Sequence, residues 1–281
     1  MTAPTTAAWL APAMMIASGS IHAVVNAILK GGKDKLAGRA IIDGSSALFV
    51  LPLCFFVPLP HGAWGWLAAS AVLHCFYLFA LVRAFQGADL SAAYPVLRGS
   101  APLLTAALAI GVFGEAASVR ELAGIALIGG AVLVMVAGRH IGLGAVGWSL
   151  ATAVTISAYT VVDAQGVRAA PEPLSYIAWV FLLMGICVVA MFGTLSKGAI
   201  FAAARSQWRA GAVAGALSIA TYGLALEALA IGPTAPLAAL RETGMVTALL
   251  ISAVFLREQV TWQRAASVLG IFGGAVLILT R

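Results

Sequence analysis

Apolar runs of about twenty residues, broken by short polar or Pro/Gly-rich stretches, recur from one end of the chain to the other. The runs cover approximately 8–29, 38–59, 64–85, 90–113, 121–138, 143–165, 174–195, 208–230, 235–256 and 263–280. A bilayer core about 30 Å thick is crossed by roughly 20 residues of helix, so each run predicts one span. The breaks carry suitable punctuation: Gly31-Gly32-Lys33-Asp34-Lys35, Pro58 to Gly62, Pro171-Glu172-Pro173, and the basic stretch Lys197 to Arg209. Membrane β-strands would alternate apolar and polar positions with period two, and these runs do not. The first run, Trp9 to Leu29, is too long for a signal-peptide core and reads as a retained span. The pattern predicts an all-α integral membrane protein of ten transmembrane helices with no soluble domain.

Composition agrees. Of 281 residues, 62% are hydrophobic and 9% charged, against about 45–50% and 25% in soluble domains. Only lipid makes so few charges sufficient, because the outer helix faces need not meet water. The net charge of +6 comes mostly from loop Lys and Arg, which reads as topology signal and lipid head-group contact rather than nucleic-acid binding. Excluding Arg98 and Arg241, eleven of these lie on the side of loops 1–2, 3–4, 5–6, 7–8 and 9–10, and three on the other. The positive-inside rule then puts both termini outside the cytoplasm. Cys54, Cys75 and Cys187 stand singly in apolar runs, which predicts packing residues, with no disulfide and no metal site.

The chain also repeats itself. Tyr77-Leu-Phe-Ala-Leu81 and Gly87 match Tyr222-Gly-Leu-Ala-Leu226 and Gly232. Leu97-Arg98 and Glu115 match Leu240-Arg241 and Glu258, and Gly130 matches Gly273. Ser20 to Ala27 matches Ser157 to Ala164, pairing Asn26 with Asp163. Each half, 1–140 and 141–281, then holds five helices. An odd number makes the second half enter the membrane in the opposite sense, so the reading is two inverted five-helix repeats. Such halves can exchange conformations and move a cavity from one side to the other.

Charged or polar residues inside spans are costly and persist where they face a cavity or a partner. Arg98 and Arg241 occupy matching places about two turns into their spans. They are read as guanidinium forks converging on an anionic substrate group, the alternative being structural ion pairs of Arg98 with Asp163 and of Arg241 with Glu242 or Glu227. Asn26, Tyr94 and Tyr159 join the arginines as candidate substrate-binding residues. Asp163, Glu242 and Glu227 are candidates for proton coupling or ion pairing. Asp43 and His74 carry weaker signals, and Tyr222 reads as packing. Glu115 and Glu258 read as solvated helix-junction residues. Gly129-Gly130 and Gly273-Gly274 suit close helix packing, and the Trp residues near span ends suit an interfacial belt. No P-loop, catalytic triad spacing or His/Cys metal cluster appears, so neither enzymatic activity nor a cofactor is expected.

These motifs resemble the drug/metabolite transporter superfamily, in particular its ten-helix EamA-type members. The resemblance rests on Ile21-His-Ala-Val-Val-Asn26 with Lys30, Ala93 to Leu104, Ala158-Tyr-Thr-Val-Val-Asp163, Tyr176-Ile-Ala-Trp179 and Ala239-Leu-Arg-Glu-Thr243. The helix ends Gly114-Glu115 and Arg257-Glu258 resemble the closing of the family's repeat. Val25 stands where similar chains commonly carry Trp. The resemblance implies a multi-pass protein of a bacterial plasma (inner) membrane, with termini usually drawn inside. It implies a secondary exporter of a small anionic or zwitterionic metabolite such as an amino acid or a phosphonate. Its expected partners are that substrate, protons and membrane lipids, with the protein monomeric or homodimeric. A passive channel or a non-transporting partner subunit is the alternative; an enzyme acting on lipid ranks below both.

Overall fold

The computed structural model describes residues 5–30, 35–87, 90–137, 141–196, 198–255 and 261–280, and every regular element among them is helical. In chain order these are α1 (Thr5–Lys30), α2 (Lys35–Val50), α3 (Trp64–Gly87), α4 (Leu90–Gly111), α5 (Val119–Val134), α6 (Leu143–Ala169), α7 (Pro173–Leu195), α8 (Ala199–Ile231), α9 (Thr234–Leu240), α10 (Gly244–Phe255) and α11 (Trp262–Leu279). Single 3₁₀ turns follow α2 at Leu53–Phe55 and separate α9 from α10 at Arg241–Thr243. Among the described residues, seven stretches are long and apolar enough to cross a membrane: Ala37–Phe55, Trp64–Gln86, Ala93–Gly111, Leu143–Ala169, Pro173–Leu195, Gln207–Ile231 and Trp262–Leu279. The protein is an integral, multi-pass membrane protein. Large apolar side chains such as Phe55, Phe56, Val72, Leu143 and Leu269 point outward, as lipid contact requires.

Two expectations about spans need correction. The basic stretch Lys197 to Arg209 does not simply break the chain, because α8 begins at Ala199 and runs 33 residues. The run over 235–256 is not one continuous span. Pro233 precedes α9, which ends after seven residues at Leu240; the 3₁₀ turn Arg241–Thr243 follows before α10 begins at Gly244. The Thr243 hydroxyl donates back to the Leu240 carbonyl at 2.7 Å, a local bond that competes with regular helix.

The break coincides with a close approach of two backbones. A Cβ on Gly19 of α1 would stand 2.3 Å from the Arg241 carbonyl oxygen, and one on Gly244 would stand 2.2 Å from the Gly19 carbonyl oxygen. Only glycine lets the two backbones meet, so α1 braces the turn that carries Arg241. The same device recurs between α4 and α5, where a Cβ on Gly129 would lie 2.8 Å from the Gly99 oxygen. It recurs again between α5 and α11, where one on Gly274 would lie 2.6 Å from the Gly124 oxygen. Without a hydrophobic drive between helices in lipid, such small-residue contacts supply the packing.

α3 packs on α6, α1 and α2 on α8, α4 on α6, and α5 on α11. Polar pins cross these interfaces. Ser157 of α6 donates to the Ala101 carbonyl of α4 at 2.9 Å, and Ser267 of α11 donates to Ala131 of α5 at 2.6 Å. The Thr221 hydroxyl donates to the Ser18 carbonyl between α8 and α1. Trp9, Trp64, Trp208 and Trp262 are exposed, as a belt requires.

Candidate functional site

Helices α1, α3, α4, α6, α7 and α8 and the 3₁₀ turn after α9 bring charged and polar groups together inside the bundle. Pro95 and Pro102 lie inside α4. Proline lacks the N–H that would bond four residues back, so Pro102 leaves the carbonyl of Arg98 free and loosens the helix where the guanidinium leaves it. Arg98 is 7% exposed and Glu242 4%. Their Nε and Oε2 atoms stand 2.9 Å apart, an ion pair joining α4 to the 3₁₀ turn after α9. The Nε and Oε2 geometry does not satisfy a hydrogen bond, so the pair attracts by charge without full alignment. Arg98 therefore takes Glu242, and not Asp163, as its counter-ion.

Arg241 is different. Its Nε is buried without a hydrogen-bond partner, and among the described residues it has no ion pair of its own. Its guanidinium carbon lies 5.4 Å from the centre of the Tyr222 ring, within cation–π range. Arg98 sits likewise, 6.0 Å from the Tyr94 ring centre.

Behind each tyrosine stands one of the two residues that the repeat pairs. The Asn26 amide donates to the Tyr94 hydroxyl at 3.1 Å. Asp163, fully buried, accepts from the Tyr176 hydroxyl at 2.7 Å and from the Tyr222 hydroxyl. Both arrangements run from a polar residue on the first helix of a half, through a tyrosine, to an arginine. They use tyrosines at non-equivalent positions, one on α4 and the other on α8. The site also gathers, around Tyr159, rings that carried weaker signals in the sequence. His74 stacks on Tyr159 with centroids 4.2 Å apart, and its Nδ1 lies 2.9 Å from the Ser70 carbonyl. Tyr77 and Tyr222 stand edge-on to this stack from two sides.

The structure thus brings Arg98, Glu242, Arg241, Tyr94, Asn26, Tyr159 and Asp163 into one region. Glu227 lies half-buried on α8 and makes no hydrogen bond or ion pair among the described residues. Asp43 belongs to a separate pair, its Oδ2 taking the Arg39 Nε at 2.8 Å one turn away while its Oδ1 remains buried and unbonded. Tyr222, expected to pack, and Tyr176 hold the Asp163 carboxylate. Tyr222 was legible as the repeat partner of Tyr77, but nothing in the sequence marked the hydroxyl. Removing one hydroxyl from a buried carboxylate costs about 1–3 kcal/mol. Tyr176→Phe is therefore expected to lower the melting temperature of the detergent-solubilised protein measurably, without abolishing insertion.

A second polar cluster lies at one end of the bundle. The Glu115 carboxylate, read from sequence as solvated, is half-buried and engaged. It accepts from Arg168 Nη1 at 2.8 Å, from the Thr234 backbone N–H at 2.8 Å and from the Thr234 hydroxyl at 2.6 Å. Arg168 also donates to the Leu229 and Gly232 carbonyls, at 2.9 and 2.7 Å. Glu258, its repeat partner, and the neighbouring Arg257 lie outside the described residues. Burial alone would raise the Glu115 carboxyl, but the bonds from Arg168 and Thr234 outweigh it and hold it below the ordinary carboxylate value. A depressed value stabilises the closed arrangement fully above the ordinary carboxylate range, and that stabilisation is lost as pH falls through the depressed value. Wild type should therefore melt higher than Glu115→Gln at neutral pH, and the gap should close on acidification below the carboxylate range.

The described residues contain no cluster of three His, Cys, Asp or Glu able to hold a metal. The fold and this charged interior are those of a multi-pass helical membrane protein. Residues 143–280 match the model of the EamA-like transporter family, and this second half of the chain is of that family, within the drug/metabolite transporter superfamily. A solved structure described only as "Crystal structure of protein" is similar over 99% of both chains, with a TM-score of 0.74 at 18% identity. At that identity the likeness shows the fold alone. No curated protein matches.

Proposed function

We propose that the protein is a secondary transporter, in the exporting sense, of a small anionic or zwitterionic metabolite such as an amino acid or a phosphonate. One observation carries this reading. Two arginines reach the bundle interior with a single carboxylate paired to one of them, Arg98, and Arg241 keeps a buried Nε unbonded. An unpaired cation in a low-dielectric interior is costly, and an anionic solute group would complete it with charge-assisted bonds. Arg241 and Glu242 lie on the broken α9–α10 segment, the discontinuous-helix arrangement on which transporters build substrate sites. Two five-helix halves, 1–140 and 141–281, in inverted relation would supply alternating access. Glu242, Asp163 and Glu227 are the groups proposed to exchange a proton with the cycle, and Asn26, Tyr94 and Tyr159 to line the site. The proposed setting is a bacterial plasma membrane.

Counterflow in proteoliposomes tests the reading. Protein loaded with an unlabelled carboxylate or phosphonate should transiently accumulate the labelled form, with saturation. Equilibration without overshoot would point to a channel instead. Glu242→Gln should leave counterflow measurable but remove its acceleration by an imposed pH gradient. An undiminished response to the gradient would exclude Glu242 as the proton carrier.

A further inference from the structure

We propose that Glu115, Arg168 and Thr234 form the closed gate of one membrane face, and that this gate acts on Arg241 through α9. The inference rests on the transporter reading but uses residues outside the substrate site.

The three residues belong to three different turns. Glu115 follows α4, Arg168 ends α6, and Thr234 opens α9 after α8. Successive helices alternate in direction, so these turns share one face of the membrane, and their direct bonds draw α4, α6, α8 and α9 together there. The bonds to backbone satisfy groups that helix termini would otherwise leave open. Arg168 caps the carbonyls of Leu229 and Gly232 at the end of α8. Glu115 takes the Thr234 N–H at the start of α9 and, in addition, the Thr234 hydroxyl.

Location separates a gate from a permanent rivet. The Arg168 and Glu115 side chains are 28% and 14% exposed, and a surface cleft lined by Glu115, Arg168, Ile231, Gly232 and Pro233 reaches them. Water can replace every bond in the cluster when it opens, so opening exposes no orphaned polar group. The Asp163 carboxylate, fully buried, has no such alternative.

α9 then transmits the change. It is a rigid rod of seven residues between Pro233 and the 3₁₀ turn, about 10 Å long at 1.5 Å per residue. Its first residue is held by Glu115, and the turn at its other end carries Arg241 and Glu242. A short 3₁₀ stretch within a span is a natural hinge. With the gate shut, α9 is fixed at its outer end, and Glu242 is held against Arg98. With the gate open, α9 is free to tilt about the turn braced by Gly19, and the Arg98–Glu242 contact shifts with it.

Thiol accessibility tests this without any solute. In the full-length protein in lipid nanodiscs, with Cys54, Cys75 and Cys187 replaced by Ala, A235C places a thiol one residue beyond Thr234 at a position buried in the closed state. A membrane-impermeant, negatively charged methanethiosulfonate should label it slowly. Glu115→Gln and Arg168→Gln should each raise that rate about tenfold or more, the scale on which losing a charge-assisted bond shifts an opening equilibrium. A214C, buried at the middle of α8 and well away from the end that Arg168 caps, should label at an unchanged rate. Unchanged labelling of A235C in both variants would overturn the gate. Parallel acceleration at A214C would also overturn it, because the cluster would then be a general rivet of the bundle. Either failure leaves the arginine reading intact, since that stands or falls on solute exchange.

Discussion

Arg241→Gln is expected to abolish counterflow of anionic solutes while leaving the protein folded and inserted. Glutamine keeps much of the volume and can still donate, but it carries no charge and no fork. Losing one charged partner of a desolvated pair costs about 2–5 kcal/mol, so the rate should fall by roughly 30-fold or more. In wild type the guanidinium has no counter-carboxylate of its own and a buried Nε without a bond, so its removal breaks no internal ion pair. The melting temperature of the empty variant should therefore hold or rise. Arg98→Gln should reduce transport as well, but at a stability cost, because it strands Glu242. The contrast between the two arginines tells a binding role from a fastening one.

The second large effect is structural. Gly244→Ala would place a Cβ 2.2 Å from the Gly19 carbonyl oxygen, and Gly19→Ala one 2.3 Å from the Arg241 carbonyl oxygen. Both obstacles are backbone and cannot rotate away. Overpacking typically costs about 1–3 kcal/mol; here the cost should lie at or above the upper end, because α1 must separate from the α9–α10 turn. Both variants should lose about ten degrees or more of apparent thermal stability, or fail to accumulate. Gly130→Ala is the matched control, since nothing stands within 4 Å of its Cβ. There alanine should be neutral or slightly stabilising, by the helix preference it gains.

Helical class and membrane character were legible because they depend on local composition: about twenty apolar residues in a row have few alternatives in any context. The break after α9 was not legible. Pro233 marks only its start, and the turn at Arg241–Thr243 arises where α1 presses in from more than 200 residues away. The buried arginines announced themselves by their cost in lipid, and the repeat made them a pair. Their partners stayed hidden, since hydropathy cannot say which helices become neighbours. The alternative reading paired Arg98 with Asp163, but α4 packs beside α9 and meets Glu242 there, while Asp163 turns to Tyr176 and Tyr222. Glu115 was read as solvated for the same reason: Arg168, 53 residues on, is its neighbour only in space.

Titration calorimetry of the purified protein against matched small solutes bearing a carboxylate, a phosphonate, an amine or no charge tests the anion site most directly. Saturable binding should appear only where an anionic group is present, and Arg241→Gln should lose it. Equal or tighter binding of the amine or the uncharged solute, or full retention of anion binding by that variant, would contradict an anion site built on these arginines.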